Sequence, residues 1–194
     1  GKAGRPGGMM KEIADRAGRW VASHRVLVTI PAVVLLFALA SPSMGSILGG
    51  AILLSFGETL RVWSSGYFVE NKSLATGGPY RFTRNPLYLG NFLLGLGFAV
   101  MSGRYALIAL FPVLFYLVYA PVIRDEEEFL RNKFGPLFDD MCRRVPRFFP
   151  AWPSRSEGGG EFSWSLVWKH REQVTWAGLA AGVGLMVLRG WASW

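Results

Sequence analysis

Three short stretches of an otherwise apolar chain carry groups capable of chemistry. The first is the pair Glu58 and Arg61, three residues apart within the apolar block Ile47 to Phe68 and therefore on one face of a helix. An ionisable residue inside such a block marks a candidate functional site; the same spacing also suits an ion pair that staples helices together and adds little net stability. The second is TGGPYRFTRNPLYLGNFLLGLG, Thr76 to Gly97, where a polar, turn-rich loop offering Tyr80, Arg81, Arg84 and Asn85 runs straight into apolar residues after Pro86. Irregular backbone beside hydrocarbon persists only where protein, water or a ligand satisfies its amides, so this loop is the first place to expect a bound polar molecule. The third is the run Asp125, Glu126, Glu127, Glu128. Such runs are usually solvated faces, and Arg124 has Glu127 and Glu128 at the i+3 and i+4 spacings of helical ion pairs.

The elements that must position these groups are apolar helices. Of the 194 residues 51% are hydrophobic and the mean hydropathy is +0.27, with the apolar residues in blocks rather than at amphipathic spacing. The blocks Val26 to Ala40, Ile47 to Phe68, Leu87 to Ser102, Tyr105 to Ile123 and Val174 to Leu188 each approach the roughly 20 residues that cross a bilayer. The expectation is an all-α, polytopic integral membrane protein with about five transmembrane helices arranged in hairpins, plus interfacial helices. Six Lys or Arg residues lie in the N-terminal arm, three between 69 and 87 and nine between 124 and 172, against only Arg104 and Arg189 on the other side. The excess of basic residues predicts a cytoplasmic N-terminus and cytoplasmic long loops, which for a bacterial protein means the inner membrane.

Three regions follow. Residues 1–25 form an arm with four glycines and a Pro in its first eight residues, then a predicted interfacial helix from Met9 to His24. Residues 26–150 form the membrane core. Pro31 is expected to kink its first span, and RDEEEFLRNKFG to continue the fourth span as a cytoplasmic helix ending at Gly135 and Pro136. A short segment follows from Leu137 to Arg144. Residues 151–194 hold the linker SRSEGGGEF, an interfacial helix with Trp164 and Trp168, and the last span.

Because the third and fourth spans form a hairpin, the RNPLY turn and the acidic run must emerge on the same side, within reach of one another. Tyr88, Asn91 and Gly95 fall at helical spacing on the third span, and the glycines at 90, 95 and 97 permit either close helix packing or close approach of a planar ligand. Carboxylates, a phenol, an amide and loop N–H groups above an apolar cleft match a cofactor with an ammonium group, a ribose, an adenine and a sulfonium: carboxylate to ammonium, aromatic rings to the cation or base.

Other chemistries find less support. The net charge of +8 is spread over all the polar segments without a nucleic-acid recognition motif, which favours anionic headgroups as its partner. Cys142 is alone and His24 and His170 are far apart, so no disulfide framework, zinc site or di-iron site is expected.

The combination of TGGPYRFTRNPLYLG, RDEEEFLRNKFG and RRVPRFFP resembles the isoprenylcysteine carboxyl methyltransferase family, a branch of the integral-membrane methyltransferases that includes the phospholipid methyltransferases. The likeness covers about residues 60 to 150. It implies a helical membrane enzyme that binds S-adenosylmethionine from the cytoplasm, releases S-adenosylhomocysteine, and meets a lipophilic acceptor through an opening toward the bilayer. Carried over, the cofactor contacts are Lys72, Ser73, Leu74, Ala75, Tyr80, Asn85, Pro86, Leu87, Tyr88, Glu126 and Glu127; adjacent helical residues point about 100° apart, so one of the two glutamates is expected to grip the cofactor directly. Arg124 and Asn85 are the catalytic candidates, and Glu58, Arg61 and Arg124 the candidates for the acceptor headgroup. Three departures bear on the acceptor. Asn85 stands where the eukaryotic enzymes have His, Val122 where they have a substrate-binding Arg, and Phe138 and Met141 where they have tyrosines.

Methyl transfer from a sulfonium is an in-line displacement, so catalysis should come mainly from positioning in a dry site. Two competing readings remain open from sequence: an NADPH-dependent reductase of the related membrane sterol type, and a non-enzymatic lipid-binding protein. The reductase calls for a larger basic surface than Lys72, Arg81 and Arg84 offer. The binding protein gives no reason to set an acidic run beside RNPLY.

Overall fold

A computed structural model describes residues 25–68, 73–152 and 159–191, with backbone alone for 25–29. The predicted helix Met9 to His24, Lys72 and most of the predicted linker lie outside the described residues. All regular elements described are helical: α1 (Arg25–Leu39), α2 (Met44–Ser65), a 3₁₀ turn (Gly78–Arg81), α3 (Pro86–Met101), α4 (Tyr105–Phe134), α5 (Pro136–Arg144), α6 (Trp164–Lys169) and α7 (Glu172–Trp191). Pro31 is accommodated inside α1. The charged stretch after Ile123 continues α4 without interruption to Phe134, and Gly135, at φ +50°, ends it.

Among the described residues two helices, α4 and α7, are long and apolar enough to cross a membrane, rather than five. The apolar stretch Ile30–Leu39 and α3 are shorter than a span, whereas the 22 residues of α2 include Glu58 and Arg61. In α4 only 6% of the most apolar stretch is buried, so it is not the core helix of a water-soluble domain. Large apolar side chains such as Val34, Ile52, Phe56, Tyr116, Leu117 and Leu188 face outward, an inside-out distribution that suits lipid as the surrounding solvent.

The centre of the molecule is the antiparallel α2–α3 pair. Gly50 and Gly57 on α2 oppose Gly97 and Gly90 on α3, and a Cβ built at Gly50 would lie 2.4 Å from the Gly97 carbonyl oxygen and 2.3 Å from Met101 Cγ. Of the two roles open to the α3 glycines, helix packing is therefore the one taken by Gly90 and Gly97, while Gly95 makes room for the Phe111 ring of α4. Ala40, Leu54, Leu94, Met101 and Met186 form the core, joining α1 and α7 to this pair. Since the added Cβ would meet the α3 backbone as well as the Met101 side chain, Gly50→Ala is expected to cost about 1–3 kcal/mol by overpacking. A lowered unfolding midpoint in detergent, with an unchanged one for Gly45→Ala, whose added Cβ meets nothing, checks this.

At one end of the bundle a capping box formed by Ser43 and Ser46 starts α2, and Ser41 N–H donates to the Ser102 carbonyl at 2.9 Å. The two hairpin turns thus lie side by side, with Gly103 (φ +67°) where any side chain would strike the Ser41 carbonyl. The last carbonyls of α1 are capped by Arg104, to Leu39, and by Arg189, to Ala38 and Ala40. The two arginines that stand apart from the basic loops in sequence therefore meet at one end of the molecule. The polar loops and the extension of α4 lie at the other.

Candidate functional site

At that second end, the loop between α2 and α3 is built to hold a shape. Tyr67 packs over Gly77 and Gly78, where an added Cβ would come within 3 Å of its ring. Pro79, Tyr80, Thr83, Asn85 and Pro86 are buried, and Pro86 begins α3 at the position where proline's missing N–H costs nothing. The segment after α5 runs alongside as a strap. Arg84 N–H donates to the Pro146 carbonyl (2.9 Å) and Ala151 N–H to the Phe82 carbonyl (3.0 Å). Thr83 Oγ1 donates to the Phe148 carbonyl (2.9 Å) and Asn85 Nδ2 to the Arg147 carbonyl (2.9 Å). Backbone groups that would otherwise be orphaned are thereby satisfied.

The hairpin brings α4 against this turn. Tyr88 Oη donates to Glu126 Oε2 at 2.8 Å, and the Tyr88 ring meets Tyr119 edge-on at 5.7 Å. Two elements 38 residues apart thus close over a cavity of about 220 Å³. One side carries Ser73, Leu74, Ala75, Tyr80, Asn85, Pro86, Leu87, Tyr88 and Glu126; the other is an apolar wall of Phe68, Phe129, Leu130, Phe134, Phe138 and Met141.

Of the cofactor positions named from sequence, only Lys72, outside the described residues, and Glu127 are absent from this lining. Glu127, 3% exposed, points the other way. It accepts from Arg147 Nε (2.9 Å) and Nη2 (2.5 Å) and from Asn85 Nδ2 (3.4 Å), and pairs with Arg84 at 3.4 Å. Glu127 is thus gripped by Arg147 and Arg84 from other elements, and Arg124 is exposed and outside the cavity lining. Asn85 borders the cavity, but its amide donates to Glu127 and the Arg147 carbonyl.

Glu58 and Arg61 are not brought to this cavity. Arg61 Nη2 donates to Glu172 Oε2 (2.8 Å) and Thr175 Oγ1 (3.3 Å), and Nη1 bonds the Asn91 side chain. Ser65 Oγ donates to Glu172 Oε1 (2.6 Å) and Trp176 Nε1 to Glu58 Oε1 (2.6 Å). The group ties α2, α3 and α7 together, which is the stapling alternative. It also turns Asn91 away from the face Tyr88 and Gly95 present to α4. Glu58 does border a wider groove of about 790 Å³ between α2 and α7, with Ser55, Thr59, Trp63 and Leu179. Sequence reasoning missed Glu172 and Trp176. The available signal was that a charged pair inside α2 calls for a further partner on a neighbouring helix. It also missed Arg147 as the partner of Glu127, which no local spacing announces.

The cavity fits the predicted type of cofactor on its own chemistry. Tyr80 Oη is buried and has no hydrogen-bond partner, an orphan that a bound polar group would satisfy. Burial first, then the Glu126 carboxylate and Tyr88, push its phenol well above the ordinary value, so it remains protonated and able to donate. Glu126 offers a carboxylate suited to an ammonium, and the Phe129, Phe134 and Phe138 rings offer faces suited to a planar base. At about 220 Å³ the cavity lies below the roughly 300–1,000 Å³ of typical ligand pockets, so a nucleotide would have to displace lining side chains to enter it. Among the described residues no group of three or more His, Cys, Asp or Glu converges to hold a metal.

A family model described as phospholipid methyltransferase matches residues 32–136. The cobalt-zinc-cadmium resistance protein CzcN of Cupriavidus metallidurans is 35% identical over 78% of this chain and 69% of its own length. The nickel-cobalt-cadmium resistance protein NccN of Alcaligenes xylosoxydans xylosoxydans is 42% identical over 46% of this chain and 43% of its own. The protein-S-isoprenylcysteine O-methyltransferase of Schizosaccharomyces pombe is 25% identical over 60% of this chain and 49% of its own. Against the last two the chain spans about half of the relative's length. No solved structure matches it.

Proposed function

The chain belongs to the phospholipid methyltransferase family, and from that premise we propose that it transfers a methyl group from S-adenosylmethionine to a lipophilic acceptor at the cytoplasmic face of a bacterial inner membrane. The observation that carries this reading is the Tyr88–Glu126 hydrogen bond at 2.8 Å over a cavity that combines a carboxylate, an orphaned phenol and a wall of aromatic rings. Glu126 would hold the ammonium group, Tyr80 and the loop from Ser73 to Ala75 the polar edge, and Phe134 and Phe138 the adenine. The sulfonium supplies an electrophilic methyl group. The chain's own work is to orient that methyl and to exclude water. No general base is obligatory for a carboxylate or thiolate acceptor, which agrees with the absence of a titrating imidazole at Asn85.

The acceptor is either an isoprenylcysteine-like carboxylate or a lipid headgroup. Helices α1, α2 and α3 would complete a five-span topology with α4 and α7, the ends bearing Arg104 and Arg189 facing away from the cytoplasm.

The direct test is incubation of the purified chain with labelled S-adenosylmethionine and, in parallel, a total native lipid extract or a prenylated cysteine peptide. Label appearing in an extractable lipid supports the reading, and label in no lipid or prenylated peptide counts against it. A thermal-shift comparison separates the reductase alternative. At a ligand concentration about 100 times Kd, S-adenosylhomocysteine should add about 2.7 kcal/mol of stability, and NADPH none. A shift with NADPH alone would replace the transferase by the reductase.

A further inference from the structure

We propose that Arg147 is a positioning residue for the cofactor cavity, one that sets the direction of Glu126 by holding its neighbour Glu127; this rests on the methyltransferase reading above. The strap residue grips both halves of the site at once. Its main-chain carbonyl accepts from Asn85 Nδ2 at 2.9 Å, at the start of α3. Its guanidinium donates twice to Glu127 Oε2, at 2.9 and 2.5 Å, on α4. Asn85 closes the triangle with its 3.4 Å contact to Glu127 Oε1.

The consequence for Glu126 is geometric. Successive residues on a helix point about 100° apart, so fixing the Glu127 carboxylate against the strap leaves Glu126 directed at the cavity, where Tyr88 meets it. Were α4 free to turn by one position, Glu127 would present to the cavity and Glu126 would leave it. Glu127 is almost fully enclosed, and a buried carboxylate needs its cations to remain charged. Arg84 supplies one at 3.4 Å. Its Nη1 also bonds the Cys142 thiol, so the closer grip is that of Arg147.

The side chain of Arg147 is 56% exposed, and its removal leaves intact the backbone bonds by which the strap holds residues 82–85. Loss of the guanidinium therefore releases the α4 half of the grip without unfolding the loop. Both guanidinium bonds go to a single carboxylate oxygen, so the ammonium of a lysine at this position can replace one of them.

The test is titration of the full chain in detergent with S-adenosylhomocysteine by calorimetry, for wild type, Arg147→Ala, Arg147→Lys, Glu127→Gln and the Glu127→Gln/Arg147→Ala pair. Arg147→Ala is expected to weaken binding about tenfold, the size of a lost charge-assisted hydrogen bond, measured at a temperature well below an unfolding midpoint that falls because Glu127 keeps only Arg84 at 3.4 Å as its cation. Arg147→Lys should recover most of that loss. The double variant should bind no worse than Glu127→Gln alone, because the arginine acts through that carboxylate. Unchanged affinity in Arg147→Ala, failure of the lysine to rescue, or additive losses in the double variant would each overturn the proposal. A wild type that binds no S-adenosylhomocysteine would overturn the methyltransferase reading itself, and this proposal with it.

Discussion

Glu126→Gln is expected to weaken S-adenosylhomocysteine binding by about ten- to a hundredfold, the equivalent of one charge-assisted hydrogen bond. The amide is the same size as the carboxylate and can still accept the hydrogen bond that Tyr88 Oη now donates at 2.8 Å, so the fold should be unaffected. What disappears is the negative charge facing the cavity. Glu126 is the carboxylate in the lining, beside the buried Tyr80 phenol and opposite the aromatic wall, and an ammonium placed there would lose its counter-charge. Tyr88→Phe should have a smaller effect, since it removes a group that orients Glu126 and leaves the charge in place. Calorimetry on the two variants decides the matter. Equal affinities for wild type and Glu126→Gln would remove Glu126 from the site.

The second large effect is on stability. Glu172 is 2% exposed and takes hydrogen bonds from Arg61 at 2.8 Å and Ser65 at 2.6 Å. Glu172→Ala leaves the Arg61 guanidinium, itself 15% exposed, with Glu58 at 3.6 Å as its remaining carboxylate, and Glu58 is also engaged by Trp176. Breaking one member of a buried ion pair typically costs about 3–5 kcal/mol, because the uncompensated charge remains in a medium that solvates it poorly. Denaturation in detergent should show a loss of that size. Replacing both partners with apolar residues of similar volume, as in Arg61→Met with Glu172→Leu, should be much milder. An equally damaged double variant would mean that the network contributes through its hydrogen-bond geometry rather than through charge balance.

These two clusters differ in how far they can be read from the chain. The cavity under Tyr88 and Glu126 was legible because its polar residues sit together in two motifs, and hairpin topology forces adjacent elements to share an end. That argument predicts the meeting of RNPLY with the acidic run from connectivity alone. The Glu58 and Arg61 pair was legible as a local ion pair. The partner that outranks it, Glu172, lies 111 positions from Arg61, and no short-range pattern points from one to the other. The span count was legible in part. Blocks of hydropathy mark where the helices are, but among the described residues only α4 and α7 combine the length and hydropathy of a bilayer crossing, because α1 and α3 are short and α2 carries internal charges.

From its residues alone the chain determined an all-helical architecture, the approximate positions of its main helices, and the hairpin that sets Tyr88 near Glu126. These follow from local propensity, apolar periodicity and short connections, all of which act over a few residues. The tertiary structure decided which of two adjacent glutamates faces the cavity, that Asn85 braces the turn through its amide, and that Arg61 belongs to a staple between α2, α3 and α7. In each case the choice depends on the rotation of one helix against partners distant in sequence, and a change of one residue in that rotation, about 100°, would exchange the roles.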